Sequence, residues 1–175
     1  MRRRPLLVAL PGLAMLPRAH ALPPASLAFP RDFGAHPEFR TEWWYVTGHV
    51  RAGEREFGFQ VTFFRTRVDA AREMKSRFAA KQLVFAHAAL TDVQGRKLWH
   101  DQRIAREGFD IARTATGDTD VRLRDWSLVR RADGYRTQIA AADFALDLRF
   151  ATTQPVLLQG EQGLSRKGPD AAQAS

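Results

Sequence analysis

The sequence predicts an all-β fold, a sandwich or barrel of antiparallel strands with one short helical excursion. Three observations carry this. Apolar residues alternate with period 2 in the stretches 57–63 and 144–150. Turn residues punctuate the chain at spacings of about 8–12 residues. Only residues 69–81, "DAAREMKSRFAAK", have a composition that suits a helix.

Taken in order, Trp43 to Val50 is rich in aromatic and β-branched residues and ends in the turn Arg51-Ala52-Gly53-Glu54. Phe57, Phe59, Val61 and Phe63 then define one apolar strand face. Residues 83–91, "LVFAHAALT", form a strand closed by Asp92-Val93-Gln94-Gly95, with Lys97 to Ala105 as its hairpin partner. Val121 to Arg130 and Tyr135 to Ala141 flank Asp133-Gly134, a pair suited to the positive φ angles of a tight hairpin. Phe144, Leu146, Leu148 and Phe150 mark the final strand. The total is seven or eight strands, without an internal repeat.

The first 21 residues stand apart. Arg2-Arg3-Arg4, the apolar run Leu6 to Leu16 and the small-x-small series Ala19-His20-Ala21 have the order of a secretory signal peptide. The run is too short to span a bilayer, and Pro11 and Pro17 interrupt it. The predicted organisation is therefore a leader at 1–21, a β domain at 22–159 and a polar tail or linker at 160–175. The product is expected in the periplasm or medium, with no transmembrane segment.

Removing the leader changes the charge. The whole chain has 27 basic and 19 acidic residues, formally +8. The leader holds Arg2, Arg3, Arg4 and Arg18 and no acid, which leaves 23 basic residues against 19, or +4. The remaining arginines are dispersed, which argues against a nucleic-acid partner. Cysteine is absent, so neither disulfides nor a lipidated cysteine hold or anchor the protein.

No nucleophile elbow, phosphate-binding glycine loop or H-E-x-x-H zinc motif occurs. His36, His49, His87 and His100 lie on separate segments without metal-ligand spacing, so neither a metal nor a cofactor is expected. His87 interrupts an apolar run and shares a strand face with Phe85 and Ala89. It reads first as a core histidine with a hydrogen-bond partner, and second as a proton carrier in a cavity.

The stretch "EFRTEWWYVTGHV" (38–50) concentrates aromatic surface. By parity Trp43, Tyr45, Thr47 and His49 share one face, and Trp44, Val46, Gly48 and Val50 the other. One tryptophan in the core and one sealing an end would be structural. A ligand cavity would use the Trp/Tyr face, whose polar tips orient an apolar guest. The candidate lining is Trp43, Tyr45 and His49, with Gln60, Phe64 and His87 from neighbouring strands, and the expected partner is a hydrophobic small molecule.

The blocks "FPRDFGAHPEFRTEWWYVTGHV", "GFQVTFFRTR", "LVFAHAALTD" with "LWHDQRIAR", and "TQPVLLQGEQGLSRKGP" resemble the AttH-like secreted proteins, a family that includes hydroxyneurosporene synthase (carotenoid 1,2-hydratase). The resemblance runs from about Phe29 to the C-terminus. It implies a lipocalin-like antiparallel β-barrel, closed or open. It also implies an isoprenoid-like or lipid ligand, and a second lipocalin-like domain that this chain lacks. Hydratase chemistry would protonate an alkene with a carboxylic acid and shelter the cation among aromatic rings. The groups the resemblance makes eligible are Glu42 and Asp92 as acids and His87 as water activator. Pairing of Glu42 with Arg40 or Arg65 is the structural alternative, and a carrier module of an envelope export system is a non-enzymatic one.

Overall fold

The computed structural model describes residues 26–160, 162, 163 and 165. The leader expected at 1–21 lies outside them, as does most of the polar tail. Two compact units divide the chain. One, Leu27–Pro155, contains all the described strands. Of the other unit, the described residues beyond 155 include a turn in which Gly163 N donates to Gln159 O at 2.9 Å.

The β unit has two antiparallel sheets. The first runs in the order β1 (Thr41–Ala52), β2 (Arg55–Arg67), β3 (Gln82–Asp92), β4 (Lys97–Arg106). The second runs β5 (Ala112–Thr114), β6 (Asp120–Leu123), β7 (Trp126–Arg131), β8 (Gly134–Ala140), β9 (Ala145–Ala151). Each is a meander, in which every strand pairs with its sequence neighbour. The two sheets form an open sandwich, not a closed barrel.

The expected strands are present, with three differences, one of them the short β5, which the sequence pattern does not predict. The segment expected as one strand, Val121 to Arg130, is a hairpin. Leu123 pairs with Trp126, and Arg124 turns the chain at φ 57°. The expected helix at 69–81 is a single 3-10 turn, Asp69–Ala71. Short helices need an apolar face to pack on a core, and here Ala71 is buried while Met74 and Phe78 are exposed.

The core lies between the sheets. Phe59, Val61 and Phe63 of β2 and Val84, Ala86 and Ala88 of β3 meet Val121, Leu123, Trp126, Leu128, Ile139 and Leu146 of the second sheet. Burying side chains of this size contributes roughly 1.5–3 kcal/mol each for the larger ones. Trp126 is fully buried and donates its indole N–H to the Ala140 carbonyl at 2.9 Å, so its polar atom is satisfied. This interior is filled by side chains.

Residues 31–40 close one end. Trp44 Nε1 and Thr119 Oγ1 both donate to the Phe33 carbonyl, at 3.1 and 2.8 Å. Gly34 passes so close to the Thr116 backbone that a Cβ would lie 2.7 Å from it. Part of the block "FPRDFGAHPEFR" thus serves to cap the sandwich.

Candidate functional site

Strand pairing determines which side chains meet. On the first sheet Trp43 pairs with Phe64, Phe64 with Phe85, and Phe85 with Ile104. The next row is Tyr45, Thr62, His87 and Gln102, and the next Thr47, Gln60, Ala89 and His100. These rows share the face turned away from the second sheet. The alternate residues Trp44, Phe63, Ala86 and Arg103 form a row on the core side.

The face is aromatic and open. Trp43 is 46% exposed, Tyr45 60% and Ile104 63%. The Phe64 and Phe85 rings stack at 4.6 Å with 9° between their planes, and the His87 ring lies 5.5 Å from Phe64 and 6.2 Å from Phe85. A shallow hollow of about 210 Å³ continues the face between Gln60, His87, Ala89, His100 and Gln102. Exposed apolar patches are uncommon on folded domains, which makes this face the candidate site.

The structure therefore places Trp43, Tyr45, His49, Gln60, Phe64 and His87 on one sheet face. It is an outer face, not the lining of an enclosed cavity. His49 lies at the far end, opposite Gly58. His87 is exposed, not a core histidine, because the small residues Ala86 and Ala88 on either side take the inward positions. Sequence reasoning missed Ile104, whose contribution depends on the register of β4 and not on its own neighbours.

Glu42, Asp92 and His87 are not brought together. Glu42 and Asp92 lie on the core side at opposite ends of the sheet, paired with Arg65 and Phe57 respectively. His87 lies on the other face. Glu42 belongs to a cluster of donors. Arg65 Nε donates to its Oε2 at 2.7 Å, the His36 backbone N–H reaches both oxygens at 2.8 and 2.9 Å, and His36 Nδ1 faces Oε1 at 2.6 Å. His36 Nε2 faces Asp32 at 3.0 Å, so both ring nitrogens meet carboxylates. The Ala28 N–H, the His36 ring and the Arg31 guanidinium hold the Asp32 carboxyl well below the usual carboxylate range.

Asp92 is equally committed. It accepts the Gly95 N–H at 3.0 Å in the β3–β4 turn and pairs with Arg55. The turn N–H and the guanidinium lower its pKa, which keeps the group ionised. Both acids tie segments of the fold together. Among the described residues, no group of three or more His, Cys, Asp or Glu side chains is placed to hold a metal ion. No described helix is long and apolar enough to cross a membrane.

The AttH-like family profile matches residues 20–175. A solved structure from Nitrosomonas europaea, assigned as an AttH, is 53% identical and superposes with a TM-score of 0.76. That match covers 88% of this chain and 46% of the other, so the chain spans about half that protein's length. No curated protein matches significantly. A match over most of the chain, joined to a closely similar solved structure, makes this protein a member of the AttH-like family.

Proposed function

We propose that this domain is an exported ligand-binding module that takes a hydrophobic molecule, of lipid or isoprenoid type, on the outer face of its first sheet. The observation that carries the reading is the uninterrupted row Trp43–Phe64–Phe85–Ile104, flanked by Tyr45 and His87. Covering about 300 Å² of such a face contributes ~7 kcal/mol before ordering costs, which corresponds to affinities near micromolar or weaker. The filled space between the sheets supports an external site over an internal one.

Binding is favoured over hydration. Alkene protonation needs an acid that holds its proton beside the apolar guest. Glu42 is surrounded by donors, Asp92 is held ionised by a turn N–H and Arg55, and neither shares a face with the aromatic row. Residues 1–21 supply the export signal in this reading, with 22–159 as the β domain and 160–175 as a linker.

A hydrocarbon probe bearing a photoreactive diazirine tests the site. Cross-links mapped by mass spectrometry should fall on outward residues of β1 to β4, Trp43, Tyr45, Phe64 and Ile104 foremost. Cross-links confined to the second sheet would refute it.

A further inference from the structure

The apolar face ends at a cationic cluster. Arg106 lies two residues beyond Ile104 on β4, on the same face and about 6.6 Å further along the strand. Its guanidinium is 4.0 Å from the Phe109 ring centroid and 5.8 Å from that of Phe78. Arg77 lies 5.6 Å from both rings, which stack on each other at 5.6 Å and 14°. Beside Arg77 a hollow of about 340 Å³ is lined by Lys75, Ser76, Lys81, Gln82 and Glu107.

Among the described residues, Lys75, Arg77, Lys81 and Arg106 have no carboxylate within ion-pair distance, whereas most arginines of the strands are paired. The acid lining the hollow, Glu107, uses Oε1 to accept the N–H and hydroxyl of Thr114 at 2.7 and 2.6 Å. Phe78 and Phe109 are 65% and 42% exposed. Phe109 and Asp110 both hold positive φ, 57° and 56°. A bulky side chain in the left-handed region is strained, and strain of this kind gathers at sites with a use. Here it presents Phe109 to the guanidiniums. Arg106 Nη1 donates to the Phe78 carbonyl, and rings that cover the flat faces of the two guanidiniums leave the N–H edges of Arg77 and the remaining ones of Arg106 for an acceptor.

We infer that the ligand is an anionic amphiphile, its chain on the Trp43–Ile104 row and its carboxylate or phosphate head at Arg77 and Arg106. This rests on the apolar-binding reading above. Charge complementarity is what selects an amphiphile over a plain hydrocarbon. The cations stand at one end of the apolar row, as a molecule with a single charged end requires.

Dodecanoate, dodecyl phosphate and dodecanol share one chain and differ in the head, so their affinities separate the two readings. Competition against a bound neutral dye should rank both anions about tenfold above the alcohol, as charge-assisted hydrogen bonds to two guanidiniums imply. The anion with the greater advantage identifies the head. Arg77→Gln, at an exposed residue, and Arg77→Gln with Arg106→Gln should bring the anions down toward dodecanol. Equal binding of all three, unmoved by these changes, would overturn the inference and leave the apolar site standing. Binding of none would overturn both. A dimer that Trp43→Ala dissociates, with no amphiphile bound, would mean that a second copy covers the face, and would also overturn it.

Discussion

The Arg65 guanidinium is completely buried and donates its Nε to Glu42 Oε2 at 2.7 Å. It also donates to Gln82 Oε1 at 2.7 Å and to the carbonyls of His36 and Phe39 at 2.9 and 3.0 Å. One side chain thus joins β1, β3 and the segment before β1. Removing a single partner of a buried pair leaves the other charge uncompensated, at a cost of about 3–5 kcal/mol. Glu42→Ala should therefore lower the urea midpoint sharply. A Glu42→Ala domain of ordinary stability that had lost an activity would instead make Glu42 a working acid.

Acid should unfold the domain early. Asp32 is depressed by the Ala28 N–H and His36, Asp92 by the Gly95 N–H and Arg55, Asp69 by Arg67 and Asp147 by Arg136. Folded values below the unfolded one, about 3.9 for aspartate, contribute stability that is present above pH ~4 and lost as pH falls below it. Urea titrations at pH 6 and pH 3 should show a large drop. Asp32→Asn should be less stable at pH 6 and lose less on acidification; an undiminished drop would exclude Asp32 as a contributor.

Gly134 opens β8 at φ 145°, where an added Cβ would come within 1.8 Å of the Phe150 carbonyl oxygen. Backbone on a neighbouring strand cannot yield as a side chain does. Gly134→Ala should cost more than about 2 kcal/mol through strain and the broken β8–β9 register. Thermal melting of the variant alongside Gly53→Ala, where φ is 63° and no atom lies within 4 Å, separates the clash from the dihedral penalty.

The leader reading makes its own prediction. The basic start, the apolar run and Ala19-His20-Ala21 should direct export with cleavage after Ala21. N-terminal sequencing of protein from fractionated cells should begin at Leu22. Full-length protein retained in the cytoplasm would count against export.

Much of the fold was legible because period-2 alternation carries strand and face together. Parity alone separated Trp43 from Trp44 and put Tyr45 with His49. Burial was harder to read. His87 looked internal because apolar residues surround it in sequence, yet Val84, Ala86 and Ala88 point inward and the histidine outward. The β6–β7 turn was hidden because Arg124 and Asp125 carry no glycine or asparagine, so "VRLRDWSLVR" reads as one strand. The outer site depends on register: nothing near Ile104 in sequence says that it ends a row begun at Trp43.

Trp43 and Trp44 test the central claim most directly. Trp43 is exposed opposite Phe64, while Trp44 packs on the core and donates to the Phe33 carbonyl. Titration of Nile red, a neutral apolar dye, into Trp43→Ala and Trp44→Ala should be read together with their urea midpoints. Trp43→Ala should weaken dye binding at least severalfold and keep most of the stability. Trp44→Ala should lose about 3 kcal/mol of stability and still bind dye while folded. Undiminished dye binding by folded Trp43→Ala would contradict a ligand site on this face.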